Sequence, residues 1–166
     1  MKYERFEDLP VWRAAIDLAK RVYTMTAGSA FKGQFSLKDQ IERAAVSISS
    51  NIAEGFERGT TQELLTFLYV ARGSAGEVRS IFCLLETLPA FRDLKSEISD
   101  LKSAVESISR QLRAWANSLQ ESDIKGQRYL TEKSRRADKA AHDRDEFLER
   151  LQRIRMGQHP ENDSDS

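Results

Sequence analysis

Phe91, Leu94, Ile98, Leu101, Val105, Ile108, Leu112, Trp115 and Leu119 recur in alternating steps of three and four. A heptad seam sustained over most of four heptads fits a long amphipathic helix laid along another helix. The same spacing runs through three earlier segments. The first carries Leu9, Trp12, Ile16, Ala19, Tyr23 and Thr26. The second carries Leu37, Ile41, Ala44, Ala45, Ile48 and Ile52. The third carries Leu64, Phe67, Leu68, Ala71, Ala75, Val78, Phe82 and Leu85. The pattern predicts an all-α chain, an antiparallel up-down-up-down four-helix bundle with a charged helical C-terminal extension.

Local punctuation places the ends. Asp8 is placed to cap the first helix, and Pro10 suits its first turn. Two glycines in "AGSAFKGQF" break the pattern. Ser36 and Asp39 resemble a capping box for the second helix, with Gly55 as its C-cap. Thr60 and Glu63 make a better box for the third, and Pro89 stops it. Gly73 and Gly76 fall inside that helix, where each costs about 1 kcal/mol against alanine, so they are expected to admit a neighbouring helix.

The bundle is expected over residues 1–120, a charged and partly helical extension over 121–156, and a disordered tail over 157–166. Residues 121–166 hold 10 basic and 11 acidic side chains. A thin seam of Ala137, Ala140, Arg144, Phe147, Leu151 and Ile154 makes a fifth helix possible there. The closing "QHPENDSDS" has nothing to bury.

Charge weakens the case for polyanion binding, because 26 Lys and Arg balance 26 Asp and Glu among 166 residues. The segment Lys125, Arg128, Lys133, Arg135, Arg136 and Lys139 is the weak nucleic-acid candidate. It carries six basic against two acidic side chains, and Asp143 to Glu149 cancels it soon after. No apolar run approaches the roughly 20 residues of a membrane helix, and no signal-peptide core opens the chain, so a cytoplasmic location without a membrane partner is expected.

No catalytic or cofactor constellation emerges. A di-iron bundle needs paired Glu-x-x-His motifs, and the two histidines, His142 and His159, both lie in the extension. One cysteine and two distant histidines supply no zinc site. Cys83 reads as a small packing residue. Glu54, Glu57 and Glu63 read as capping and solvated charge. The chain is expected to be non-enzymatic, with no metal and no cofactor.

Three of the four residues from Ser47 to Ser50 are serines, and Asn51 follows. Advancing 100° per residue from Ile41 puts Ala44, Ala45, Ile48, Ile52, Gly55 and Phe56 on the core face. Ser49 and Asn51 fall at its flanks. Ser47, Ser50 and Glu54 fall on the far side, with Val46 and Ala53 oblique to the stripe. A small-residue outer face serves close helix packing better than solubility. Val46, Ser50 and Ala53 are therefore the expected subunit interface, and Ser47, Asn51 and Glu54 the expected polar contacts.

Four stretches carry a resemblance: F-x-D-L-x-V-W at Phe6–Trp12, R-A-A-V-S-I at Arg43–Ile48, S-N-I-A-E-G at Ser50–Gly55 and A-R-G-S at Ala71–Ser74. Together they make residues 5–119 resemble the bacterial four-helix bundle family of ribosomal-RNA intervening-sequence proteins. Two positions depart from the pattern: Ser49, where the family often has Pro, and Glu42, where it often has a basic residue. The resemblance implies a cyclic homo-oligomer, with a pentamer favoured. It also implies a distant relationship to the accessory variability determinant of diversity-generating retroelements, a basic pentamer that binds nucleic acid. Two functions follow as expectations. One is a homo-oligomeric scaffold or adaptor, which leaves room for an unidentified protein partner. The alternative is a nucleic-acid-binding accessory subunit of a reverse-transcriptase or ribosomal-RNA-linked system.

Overall fold

The computed structural model describes residues 3–121 together with Arg144 and Leu148. The chain divides into two units, Met1–Arg128 and Tyr129–Ser166. The first unit is a four-helix bundle of α1 (Pro10–Thr26), α2 (Phe35–Glu57), α3 (Thr61–Thr87) and α4 (Lys95–Gln120), with short 3-10 helices at Phe6–Asp8, Ser29–Phe31 and Pro89–Leu94. No strand occurs among the described residues.

Each helix packs on its chain neighbours, and α1 also packs on α4. Along the α2/α3 seam, Gln40 meets Glu77 and Ser47 meets Ser74, while Gly55 lies against Phe67. Positions on α2 rise as their α3 partners fall, so these two helices run in opposite directions. Lys102 meets Glu86, Arg79 lies near Glu106 and Gln120 meets Tyr69, giving the same descending order for α3 and α4. Phe31, between α1 and α2, stacks edge-on against Phe91, between α3 and α4, with ring centroids 4.8 Å apart. Two connections therefore close the same end of the bundle with an apolar plug. Gly33 takes φ 84° in the first of them, a conformation that favours glycine.

The predicted stripes of α2, α3 and α4 line the core, with Leu37, Phe67, Trp115 and Leu119 half-buried at its margins. Ile41, Ala45, Ile48 and Ile52 are fully buried, as are Leu64, Ala71, Ala75, Val78, Phe82 and Leu85. Ile98, Leu101, Val105, Ile108 and Leu112 complete the interior from α4. Leu65 and Ile81 join them from flanks that the stripe left out. Phe91 and Leu94 belong to the 3-10 helix that precedes α4, not to α4 itself.

Helix α1 is rotated from its expected face. Val11, Ala15, Leu18, Ala19, Val22 and Met25 are buried, while Trp12 and Ile16 are half-buried and Tyr23 is 49% exposed. Of the expected stripe, Leu9, Ala19 and Thr26 are buried, while Trp12, Ile16 and Tyr23 lie on the flank turned toward α2. Thr26 marks the same direction, because its hydroxyl donates to the Glu42 carboxylate on α2.

Several caps differ from expectation. Asp8 does not cap α1; Leu9 is the N-cap, Pro10 is at the start, and Asp8 instead pairs with Arg13 at 3.0 Å. Phe6 and Trp12 stack edge-on at 5.2 Å, so the first motif folds onto itself as a clasp at the start of α1. The Ser36/Asp39 box is absent: α2 begins at Phe35 after Gln34, with no side-chain cap, and Asp39 pairs with Arg43 at 3.3 Å. Thr60 does cap α3, accepting from the Glu63 backbone N–H at 3.2 Å and donating to its carboxylate at 2.8 Å.

Gly55 is no C-cap. It lies buried inside α2, and a Cβ there would meet the Phe67 Cβ at 2.6 Å, so α3 approaches too closely for any side chain. Gly73 and Gly76 behave oppositely: both are exposed, with no atom within 4 Å of where a Cβ would stand. The close neighbour expected beside them is not a helix of this bundle. Cys83 is exposed and does not pack. In the extension, Arg144 and Leu148 are helical and exposed. The other seam positions Ala137, Ala140, Phe147, Leu151 and Ile154 lie outside the described residues, as does the tail.

Candidate functional site

The serines of α2 divide by flank. Ser49 is buried, contrary to a position outside the core, and its hydroxyl donates to the Val46 carbonyl at 3.0 Å. That local bond satisfies the hydroxyl and lets a serine sit inside. Ser47 faces α3. Its Oγ lies 2.9 Å from the Ser74 Oγ, and the Asn51 amide donates to the Ser47 carbonyl at 2.7 Å and to its Oγ at 3.0 Å. Ser74 reaches the Val70 carbonyl at 3.2 Å. One proton per hydroxyl fixes an order that satisfies every group: Asn51 donates to Ser47, Ser47 to Ser74, and Ser74 to Val70. The R-A-A-V-S-I and A-R-G-S motifs thus meet as one hydrogen-bonded strap between α2 and α3.

Val46, Ser50 and Ala53 lie on the other flank. Glu42, Val46, Ser49 and Ala53 follow one another at spacings of four, three and four, so they share the side of α2 that Glu42 turns toward α1. Val46 is 39% exposed, Ser50 is exposed and Ala53 is half-buried. On the facing side of α1 stand Trp12, Ile16 and Tyr23. The α1/α2 side of the bundle therefore presents Tyr23, Val46, Ser50 and Ala53 as a small and apolar patch, flanked on α2 by the exposed Asp39, Arg43 and Glu57. Glu42, the departure from the family pattern, accepts from Thr26 and lies 3.7 Å from the Lys38 ammonium, tying the two helices at this edge.

Glu54 points elsewhere and does not join the Ser47–Asn51 contact. Its carboxylate takes the Arg58 guanidinium at 2.6 Å, and Arg58 also lies 4.0 Å from Glu63 and 5.2 Å from the Phe67 ring centre. The hydrogen bond to Glu54 is the main reason that the Arg58 pKa is raised above its ordinary value. Glu54 and Glu63 thus flank a fixed cation at an exposed corner. This is a structural clamp for the α2–α3 turn, and it is not the buried acid–base pair that hydrolysis or proton transfer requires.

The α3/α4 side has a different chemistry, which sequence reading missed. A recess of about 290 Å³ is lined by Arg72 and Arg79 of α3 and by Glu106, Ser109, Arg110 and Arg113 of α4. Arg79 and Glu106 approach only to 3.9 Å. Among the described residues, Arg72, Arg110 and Arg113 have no carboxylate within ion-pair distance. The detectable signal was arginine at i and i+7 on α3 and at i and i+3 on α4. It becomes a cluster only once the two helices are set in register. A second recess of about 210 Å³, lined by Tyr3, Leu9, Pro10, Val11, Gln111 and Trp115, is apolar and holds no titratable group beyond the tyrosine.

Among the described residues, no group of three or more His, Cys, Asp or Glu could hold a metal. No described helix is long and apolar enough to cross a membrane. The candidates Lys125, Arg128, Lys133, Arg135, Arg136 and Lys139 lie outside the described residues.

No curated protein matches the chain. Residues 7–114, which include the serine strap and the Gly55 contact, match the family described as 23S rRNA-intervening sequence protein, and the chain belongs to that family.

Proposed function

We propose that the chain is a non-enzymatic, cytoplasmic, homo-oligomeric bundle that acts as a scaffold or adaptor through its α1/α2 side. The observation that carries this reading is the chemistry of that side. Tyr23 and Val46 are exposed, and Ser50 and Ala53 stand where lysine or glutamate would serve a solvated helix better. Small side chains let helix axes approach to the short end of the usual range of about 8–10 Å, and the larger apolar groups beside them supply area to bury. A ring of identical copies would use this one patch repeatedly, and the family resemblance favours five.

Light scattering on a sizing column tests the proposal. The full chain is expected at a multiple of its 18.9 kDa mass. Val46→Arg is expected to elute as a single chain with unchanged helical circular dichroism. An unmodified chain that runs as a monomer at micromolar concentration would end the proposal.

A further inference from the structure

We propose that the arginine groove between α3 and α4 binds the phosphates of a single-stranded nucleic acid. This goes beyond the scaffold reading and does not rest on it, because every residue involved belongs to one chain and lies on the side away from Val46.

Four guanidinium groups and one carboxylate line the recess. Like charges gathered on one surface repel, and the fold gains nothing visible from them. They cap no helix, and the one ion pair, Arg79 with Glu106, is at the loose distance of 3.9 Å. An anion supplied from outside would reverse the sign of the interaction. All four cations are arginine, whose planar fork places two N–H groups against two phosphate oxygens. Ser109 adds a hydroxyl donor on the same wall.

Length argues for a strand over a single ion. Arg72 and Arg79 are two helical turns apart, roughly 10 Å along α3 at 1.5 Å per residue. Arg110 and Arg113 are one turn apart on the opposite wall, so the groove presents cations to more than one phosphate. Between Arg72 and Arg79, Gly76 leaves open space on the same flank of α3, where a side chain would stand between strand and helix. One turn before Arg72 stands Tyr69, 44% exposed, its hydroxyl held at 2.9 Å by the Gln120 amide of α4. An aromatic ring fixed at the end of a cationic track is the combination that binds single strands, with phosphates along the track and a base stacked on the ring.

Whole-chain neutrality does not oppose this. At about 0.15 M salt the screening length is about 8 Å, so an acidic group elsewhere on the surface contributes little at the groove.

The test is fluorescence anisotropy of a labelled oligothymidylate with the full chain at low salt. Binding is expected, with a log–log salt slope of about −2 to −3, as three or four single-strand phosphate contacts give. Arg72→Gln combined with Arg110→Gln should weaken binding at least tenfold and flatten the slope, with circular dichroism unchanged. Tyr69→Ala should weaken it without altering the slope. Lys133→Gln combined with Arg135→Gln and Arg136→Gln should retain most of the affinity. The proposal is overturned if the oligonucleotide does not bind, or if the extension variant loses binding while the groove variant keeps it. It is equally overturned if inorganic pyrophosphate binds as tightly as the strand, or if poly-glutamate competes equally well, since those results assign the groove to a small anion or an acidic polypeptide.

Discussion

The α1/α2 and α3/α4 sides belong to the same bundle and bury similar apolar stripes, yet they present different chemistry to the surroundings. On one side Tyr23, Val46, Ser50 and Ala53 offer small and apolar groups, with Glu42 drawn inward to Thr26 and Lys38. On the other, Arg72, Arg79, Arg110 and Arg113 surround a recess, and the exposed apolar group at its end is Tyr69. Core packing cannot produce this difference, because none of these residues is in the core. The inner faces specify the fold, and the outer faces are free to specify what the fold meets.

The largest expected effect separates the two sides outright. Val46→Arg places a charge in the proposed contact, and burying it unpaired costs several kcal/mol, comparable to a modest interface. Mass should fall to that of one chain while oligonucleotide binding per chain persists. Arg110→Gln should do the reverse, lowering binding and leaving the mass unchanged. Either substitution moving both readouts would merge the two sides into one site and break the distinction.

The readable and unreadable parts of this molecule divide along the same line. Periodicity found the interior of α2, α3 and α4, because a stripe at steps of three and four has one way to be buried. It misplaced α1, where two stripes compete. Trp12, Ile16 and Tyr23 are the larger side chains, yet Val11, Ala15, Leu18 and Val22 face the centre. Thr60 was legible as a cap, since its partner Glu63 is three residues away. Gly55 was not, because what forbids its side chain is Phe67 on another helix. The arginine groove was hidden for the same reason: it depends on the register of α3 against α4, and the neutral composition concealed it. Ser47 was legible as polar and outside the stripe, but its partner Ser74 lies 27 positions on.

The seam between the two sides gives the next effect. Gly55→Ala should destabilise the bundle by about 1–3 kcal/mol, the usual cost of overpacking, since its Cβ would stand 2.6 Å from the Phe67 Cβ. Chemical denaturation should show a lower midpoint. An unchanged midpoint would mean that α2 and α3 can separate without cost, and that the bundle does not hold its outer faces rigidly.

Ser47→Ala should cost less, about 1 kcal/mol, the typical net worth of a hydrogen bond. The loss is limited because Ser74 keeps the Val70 carbonyl and Asn51 keeps the Ser47 carbonyl. The substitution should leave both mass and oligonucleotide binding unchanged, because the strap lies on neither side. A change of mass would move the interface from the α1 flank of α2 to its α3 flank.

The smallest effect has the opposite sign. Gly73→Ala is expected to stabilise the chain by up to about 1 kcal/mol, the helix-propensity difference between the two residues. Gly73 lies inside α3, its φ is not positive, and nothing stands within 4 Å of the added methyl group. For a chain of this size that gain raises the thermal midpoint by a few degrees. The sign is informative, because exposed Val70 and Leu84 lie on the same outer side of α3. If the assembly contacts only the α1/α2 side, Gly73→Ala should raise the midpoint of the oligomer as much as that of the monomeric Val46→Arg background. If a neighbouring copy instead packs its backbone against α3, the methyl group should stabilise the monomer and destabilise the oligomer. That split would place the contact on the outer face of α3 and refute the assignment of the α1/α2 side as the assembly surface.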